Sequence, residues 1–201
     1  MSKLVNKPYT FVFFGIVGSG KGTQIELLQK YLKEKNPYAK IASIYPGAEF
    51  RKIVESGSYT GKLVKETLDQ GWLQPNFITI SLFTNTLISS LEEETHLLVD
   101  GFPRTVTQSE VLEAAMDFYK REDIKVVYIK VEKEEAVKRM KLRGRTDDTD
   151  EGIEKRFDEY VNNVVPAMMY FKEKGGYTIY TVNGEQSVED VHVELIKTLE
   201  I

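Results

Sequence analysis

The chain has 201 residues, 41% hydrophobic and 29% charged, the composition of one compact soluble domain. A net charge of −4 argues against a role coating nucleic acid, and the lack of cysteine removes disulfides and thiolate metal sites. The two histidines, His96 and His192, are too far apart for a local metal pair, residues 1–10 carry no apolar signal core, and no run reaches membrane-spanning length, so a cytoplasmic protein with neither nucleic-acid nor membrane partners is expected.

The first element is the one on which the rest depends. Phe11, Val12, Phe13 and Phe14 read as a buried strand that stops at Gly15. Gly15, Gly18, Gly20 and Gly22 follow within eight residues, with Lys21 and Thr23 at the far end. Ile25, Leu28 and Leu32 then recur at helical spacing. A strand, a glycine-rich turn and a helix start form a phosphate cradle. Backbone N–H groups curl round the anion, the helix N-terminus adds partial positive charge, lysine reaches the outer phosphates, and a hydroxyl can hold Mg2+. Gly22 occupies the usual hydroxyl position, and Thr23 comes one residue later.

Asn36-Pro37 breaks the first helix, and residues 41–44 read as a short buried strand. Residues 45–74 carry turn signals at Pro46-Gly47, 56–58, Gly61 and Gly71 around two short helical segments, a flap too small for a core of its own. Residues 76–90 look helical, with Phe77, Ile80, Phe83, Leu87 and Ile88 expected on the buried face. Residues 96–100 form a strand ending in Asp100, at the carboxyl end where open parallel sheets bind ligands. A helix over 108–119 and a strand over 124–131 follow, then a helix over 132–142, a polar turn from Arg143 to Asp148, and a long helix over 148–174 expected to kink at Pro166. Residues 177–182 are the last strand, and Ser187 caps a final helix with Val188, Val191, Leu195 and Leu199 inward. The alternation of β and α predicts an α/β fold, a five-stranded parallel sheet with helices on both faces.

Only seven of the 27 basic residues are arginine, the side chain whose planar fork suits bidentate phosphate contacts. Arg51 lies in the flap, Arg104 after the strand ending in Asp100, and Arg139, Arg143, Arg145 and Arg156 around the late turn. Arg121, among charged neighbours, reads as a surface ion pair. The other six exceed what one triphosphate needs and suit two phosphorylated substrates meeting head to head. Phosphoryl transfer asks for positioning and charge neutralisation rather than a covalent nucleophile.

Several stretches resemble the adenylate kinases with a short lid: GIVGSGKGTQ over 15–24, GAEFR over 47–51, DGFPRT over 100–105 with Gln108, Arg139 and Arg143, and RTDD over 145–148 with Arg156 eleven residues after Arg145. The resemblance implies a P-loop nucleoside triphosphate hydrolase-like three-layer fold, with core 1–44, 75–141 and 149–201, an NMP-binding flap over 45–74 and a lid over 142–148. It implies ATP + AMP ⇌ 2 ADP with Mg2+. Gly18, Ser19, Gly20, Lys21, Gly22 and Thr23 would wrap the ATP phosphates, Arg139 and Gln186 would lie near the ATP base, and Arg143 would sit on its phosphates. Arg51 and Arg104 would hold the AMP phosphate, Gln108 would read its base, and Pro46, Trp72, Leu73, Gln74, Gly101, Phe102 and Pro103 would complete that pocket. Lys21, Arg104, Arg143, Arg145 and Arg156 would be the catalytic set, and Thr23 and Asp100 would hold Mg2+ through water. A monomer whose partners are nucleotides is implied. The chain departs from the family at Tyr45-Pro46-Gly47-Ala48, where the family usually reads Ser-Thr-Gly-Asp. That departure keeps two alternatives in play: a UMP/CMP kinase, and a low-turnover nucleotide-binding regulator.

Overall fold

A computed structural model describes residues 7–144 and 148–201. The five strands are β1 (Thr10–Phe14), β2 (Lys40–Ile44), β3 (Thr95–Asp100), β4 (Ile124–Lys130) and β5 (Ile179–Asn183), in the order β2-β3-β1-β4-β5 and parallel throughout. β1 is central, which explains its unbroken apolar sequence: a strand covered on both faces has no side for polar residues.

Side chains of β1 alternate between two cores. Val12 and Phe14 pack with Phe83 and Leu87 of α4 (Asn76–Ser90), Leu112 and Met116 of α5 (Val106–Phe118), and Met168 and Phe171 of α8 (Val165–Lys174). Phe11 and Phe13 pack with Ile25, Leu28 and Leu32 of α1 (Lys21–Lys35) and with Val191, Leu195 and Leu199 of α9 (Val188–Leu199). Burying each such side chain contributes roughly 1.5–3 kcal/mol. β1 is therefore fixed from both sides, and the turn leaving it at Gly15 is held rigidly.

The flap residues form α2 (Pro46–Glu55) and α3 (Tyr59–Asp69), joined through Phe50, Val64 and Ile78 of α4. Pro46 takes the first position of α2, where its missing N–H costs nothing, and the Ser58 hydroxyl accepts from the Gly61 N–H at the start of α3 (3.1 Å).

Five expectations are corrected. Val188, expected inward, is exposed at the start of α9, where the stripe turned to the sheet is Val191, Leu195 and Leu199. In α4 the buried residues are Ile78, Thr79, Phe83 and Leu87, whereas Phe77 and Ile88 face outward. The Thr79 hydroxyl satisfies the Pro75 carbonyl, which lets a threonine sit inward (3.2 Å). The long late helix is two, α7 (Asp150–Glu159) and α8, joined by a π-helical turn over Tyr160–Val164. Pro166 cannot donate within an α-helix and would crowd the carbonyl four residues back, so the wider turn relieves both problems. The last strand begins at Ile179, because Tyr177 turns to pack on Phe171 and donate to Glu113. Arg121 makes no surface ion pair among the described residues; its guanidinium donates to the Tyr9, Glu93 and Thr95 carbonyls and the Thr10 hydroxyl, tying down the amino ends of β1 and β3.

Candidate active site

The turn after β1 and the carboxyl end of β3 open into one cavity of about 1370 Å³. Gly20 precedes α1 in the left-handed conformation, and Gly18 does the same at φ +90°. A Cβ on Gly18 would sit 2.7 Å from the Ala136 carbonyl of α6 (Lys133–Arg143), so only glycine lets the loop lie against that helix. The loop's other anchor is apolar: Ile16 packs with Val131, Met140, Ile153 and Phe157.

Lys21 bends back over the loop, its Nζ donating to the carbonyls of Gly15 (2.7 Å) and Ile16 (3.0 Å). Withdrawal from water lowers its pKa to about 8; Asp100 opposes the shift, while Arg104 and Arg143 add to it. An arriving phosphate would supply the missing counter-charge.

The wall of the cavity includes Gly18 through Thr23, Pro46, Arg51, Trp72, Leu73, Gln74, Asp100, Gly101, Arg104, Gln108, Arg139, Arg143, Arg156 and Gln186. Residues more than a hundred positions apart in sequence thus face one space. Phe102 and Pro103 do not line it; Phe102 is fully buried and stacked on Phe83 at 4.0 Å between ring centroids. Arg145 lies outside the described residues. Arg139 is braced by Glu135 (2.8 Å) and by the Gly184 carbonyl (2.8 Å), beside Gln186.

Thr23 and Asp100 bring a hydroxyl and a carboxylate to the wall, hard oxygens of the kind Mg2+ accepts beside phosphate oxygens and water. Among the described residues no group of three or more His, Cys, Asp or Glu could hold a metal by itself. The donor set therefore fits a cation that arrives with a phosphorylated ligand.

The family profile for adenylate kinase matches residues 13–176. The chain belongs to the adenylate kinase family. It is 32% identical to an adenylate kinase of Corynebacterium diphtheriae over 94% of this chain and 97% of that one. Identity to an adenylate kinase of Bacteroides fragilis is likewise 32%, over the same shares, and to one of Dehalococcoides mccartyi it is 29% over 95% of this chain and 98% of that one. The chain is a phosphotransferase of the class that uses a phosphate group as acceptor, built on a five-stranded parallel α/β sheet.

Against that family background, two features stand out that the motifs did not give. The first is Asp148. Its carboxylate takes the Arg143 fork (2.8, 2.9 and 3.1 Å) and also Arg156 Nη1 (2.8 Å), with only 1% of its side chain exposed. Its position between two arginines was the available signal, but a polar turn does not say which of its side chains face one another.

The second is Tyr45. The Arg51 guanidinium lies over its ring, 5.4 Å from the centroid, and the ring covers Gly47 so closely that a Cβ there would be 2.8 Å from Cε2. Tyr45 therefore aims Arg51, and Gly47 leaves room for it to do so. Gly47→Ala is expected to raise the acceptor KM about three- to tenfold while sparing the ATP KM. The same change made in a Tyr45→Ser background should add nothing, because the clash is gone and alanine suits a helix better. Steady-state kinetics on the four proteins checks this, and additive losses would contradict it.

Proposed function

We propose that this protein transfers the terminal phosphoryl group of ATP to AMP, giving two ADP. The observation that carries the reading is the common focus of Lys21, Arg51, Arg104, Arg143 and Arg156 on one cavity. Arg51 and Arg104, from the flap side and from the end of β3, hold the acceptor's phosphate. Loop amides and Lys21 hold the donor phosphates, Arg139 and Gln186 flank the donor base, and Arg143, Arg156 and, from the sequence, Arg145 neutralise the group in transit. The acceptor oxygen is already ionised, so no general base is needed. Thr23 and Asp100 would hold Mg2+ together with the nucleotide, and the ion would supply further charge neutralisation there. The flap over 45–74 closes to exclude water as a competing acceptor, and the lid expected over 142–148 lies partly outside the described residues. Within this reading the protein acts in the cytoplasm as a monomer.

The test is ADP formation from ATP and Mg2+ with AMP, CMP, UMP or GMP. AMP is expected to be the fastest acceptor, and no turnover with any of them would overturn the reading. One observation favours a pyrimidine, UMP or CMP, instead: Pro46 is buried in the acceptor wall and offers neither hydroxyl nor N–H to a purine. The panel separates the two.

A further inference from the structure

We infer that Glu194 is a positioning residue for the donor's base: it orients the Gln186 amide so that the carbonyl oxygen is the end left free for a ligand, which favours a donor base with an exocyclic amino group. This rests on the kinase reading, with Arg139 and Gln186 beside the donor base, and goes beyond it, since Glu194 does not itself line the cavity.

The turn after β5 is fixed at its backbone before any side chain reaches the ligand. The Gly184 N–H donates to the Lys130 carbonyl (2.8 Å), and the Gly184 carbonyl accepts from Arg139 (2.8 Å). A Cβ on Gly184 would stand 2.6 Å from Val131 Cγ2, so only glycine lets the turn lie this close to β4. The Glu185 carboxylate accepts from the Glu132 N–H at the start of α6 (2.8 Å), which ties the turn to the helix that carries Arg139 and Arg143.

Glu194 reaches the same turn from α9. Its Oε1 accepts from the Asn183 N–H (3.1 Å), and its Oε2 accepts from Gln186 Nε2. Glu194 makes no ion pair among the described residues, so both of its oxygens are engaged on this turn. Gln186 Nε2 also donates to the Asn183 carbonyl (3.3 Å). A carboxylate and a carbonyl only accept, so turning the amide over would set its oxygen against two others. Neither of those partners lines the cavity, whereas Gln186 does and is exposed. An arriving base therefore meets an acceptor there. The adenine 6-amino group can donate to it, while a carbonyl at the same edge would oppose oxygen to oxygen.

A neutral amide at position 194 reverses this. In Glu194→Gln the single oxygen keeps the Asn183 N–H and the new NH2 group faces Gln186. Gln186 then turns its own oxygen toward that group, gives up its longer bond to Asn183, and leaves Nε2 for the base. An isosteric change at a residue away from the ligand thus converts an acceptor into a donor.

The experiment uses the full chain with AMP and Mg2+ and compares ATP with inosine triphosphate, which carries a carbonyl in place of the amino group. Wild type is expected to show a kcat/KM about three- to tenfold higher with ATP. In Glu194→Gln that ratio should fall by about the same factor, while the KM for AMP and the melting temperature hold. In a Gln186→Ala background Glu194→Gln should leave the ratio unchanged, because no amide remains to be oriented. Equal losses with both donors, as a merely structural role would give, overturn the inference, and so does an effect on the ratio that persists without Gln186. A wild type indifferent to the two donors also overturns it, and that result needs no variant to fold. Should no monophosphate accept a phosphoryl group, the kinase reading fails separately. The inference is then decided by binding: ATP must raise the melting temperature more than inosine triphosphate in the wild type, with a smaller difference in Glu194→Gln, and equal differences in the two proteins overturn it.

Discussion

Lys21→Met is expected to lower kcat about 10³-fold, measured as ADP formed from ATP and AMP, and to leave the protein folded. The loss follows from removing a preorganised cation from the transferring group in a site shielded from water. The fold should survive because Lys21 is a burden on it. Burial lowers its pKa to about 8, from 10.5 in an unfolded chain. Below pH 8 both states hold the proton, and the folded state bears the full cost of a charge withdrawn from water. Between 8 and 10.5 the unfolded chain binds more protons, so this group's contribution to stability improves as pH rises. Methionine carries no such cost. The variant's melting temperature relative to wild type should therefore be highest below pH 8 and decline through that window. In the wild type, kcat/KM for ATP should drop as pH passes about 8 and the free enzyme loses this charge. ATP binding near that pH should also take up protons, seen by calorimetry as a heat that depends on the buffer. A pH-independent difference in melting temperature would contradict the argument.

How much of this could be read from residues alone depended on how local the cause was. β1 and its glycine turn were legible because an apolar run, a loop and a helix start are consecutive. The orientation of α4 was not, because Phe77 and Ile88 are as apolar as Phe83 and Leu87; the choice of face is made by β2 and α5, which lie elsewhere in the chain. The π turn at Tyr160–Val164 was half legible: Pro166 announced a disturbance, but whether a helix kinks or widens depends on its packing. Arg121 was misread because its partners are backbone carbonyls from the amino ends of two strands, and carbonyls leave no mark in a sequence.

The same distinction governs the site. Lys21, Arg51, Arg104, Arg139, Arg143 and Arg156 were nameable from residue type and motif. Their neighbours Tyr45 and Asp148 gain meaning only from what faces them: a guanidinium 5.4 Å from a ring centroid and a carboxylate shared by two forks. Gln108 was nameable too, but its anchoring was not: its amide accepts from the Arg104 N–H and donates to Asn76, which leaves one lone pair and one N–H uncommitted.

Asp148→Asn is expected to cut kcat about 10²-fold and to lower stability by about 2–3 kcal/mol, an unusually large loss for a change that keeps the side chain's size. The carboxylate holds the Arg143 and Arg156 forks side by side, with Arg156 itself mostly buried. Asparagine can donate to neither cation and offers one neutral oxygen in place of two charged ones, leaving two guanidinium groups in mutual repulsion. Both effects come from the same loss: forks no longer held cannot be preorganised for a moving phosphoryl group. A bound triphosphate would supply the missing negative charge to the same two arginines. Saturating ATP should therefore raise the melting temperature of Asp148→Asn more than that of the wild type, although the variant turns over more slowly. If Asp148 merely competed with phosphate for the arginines, removing its charge would speed the reaction or tighten ATP. If it only capped α7, nucleotide would shift both proteins equally. Paired melting curves with and without ATP, read beside the kinetics, distinguish the three.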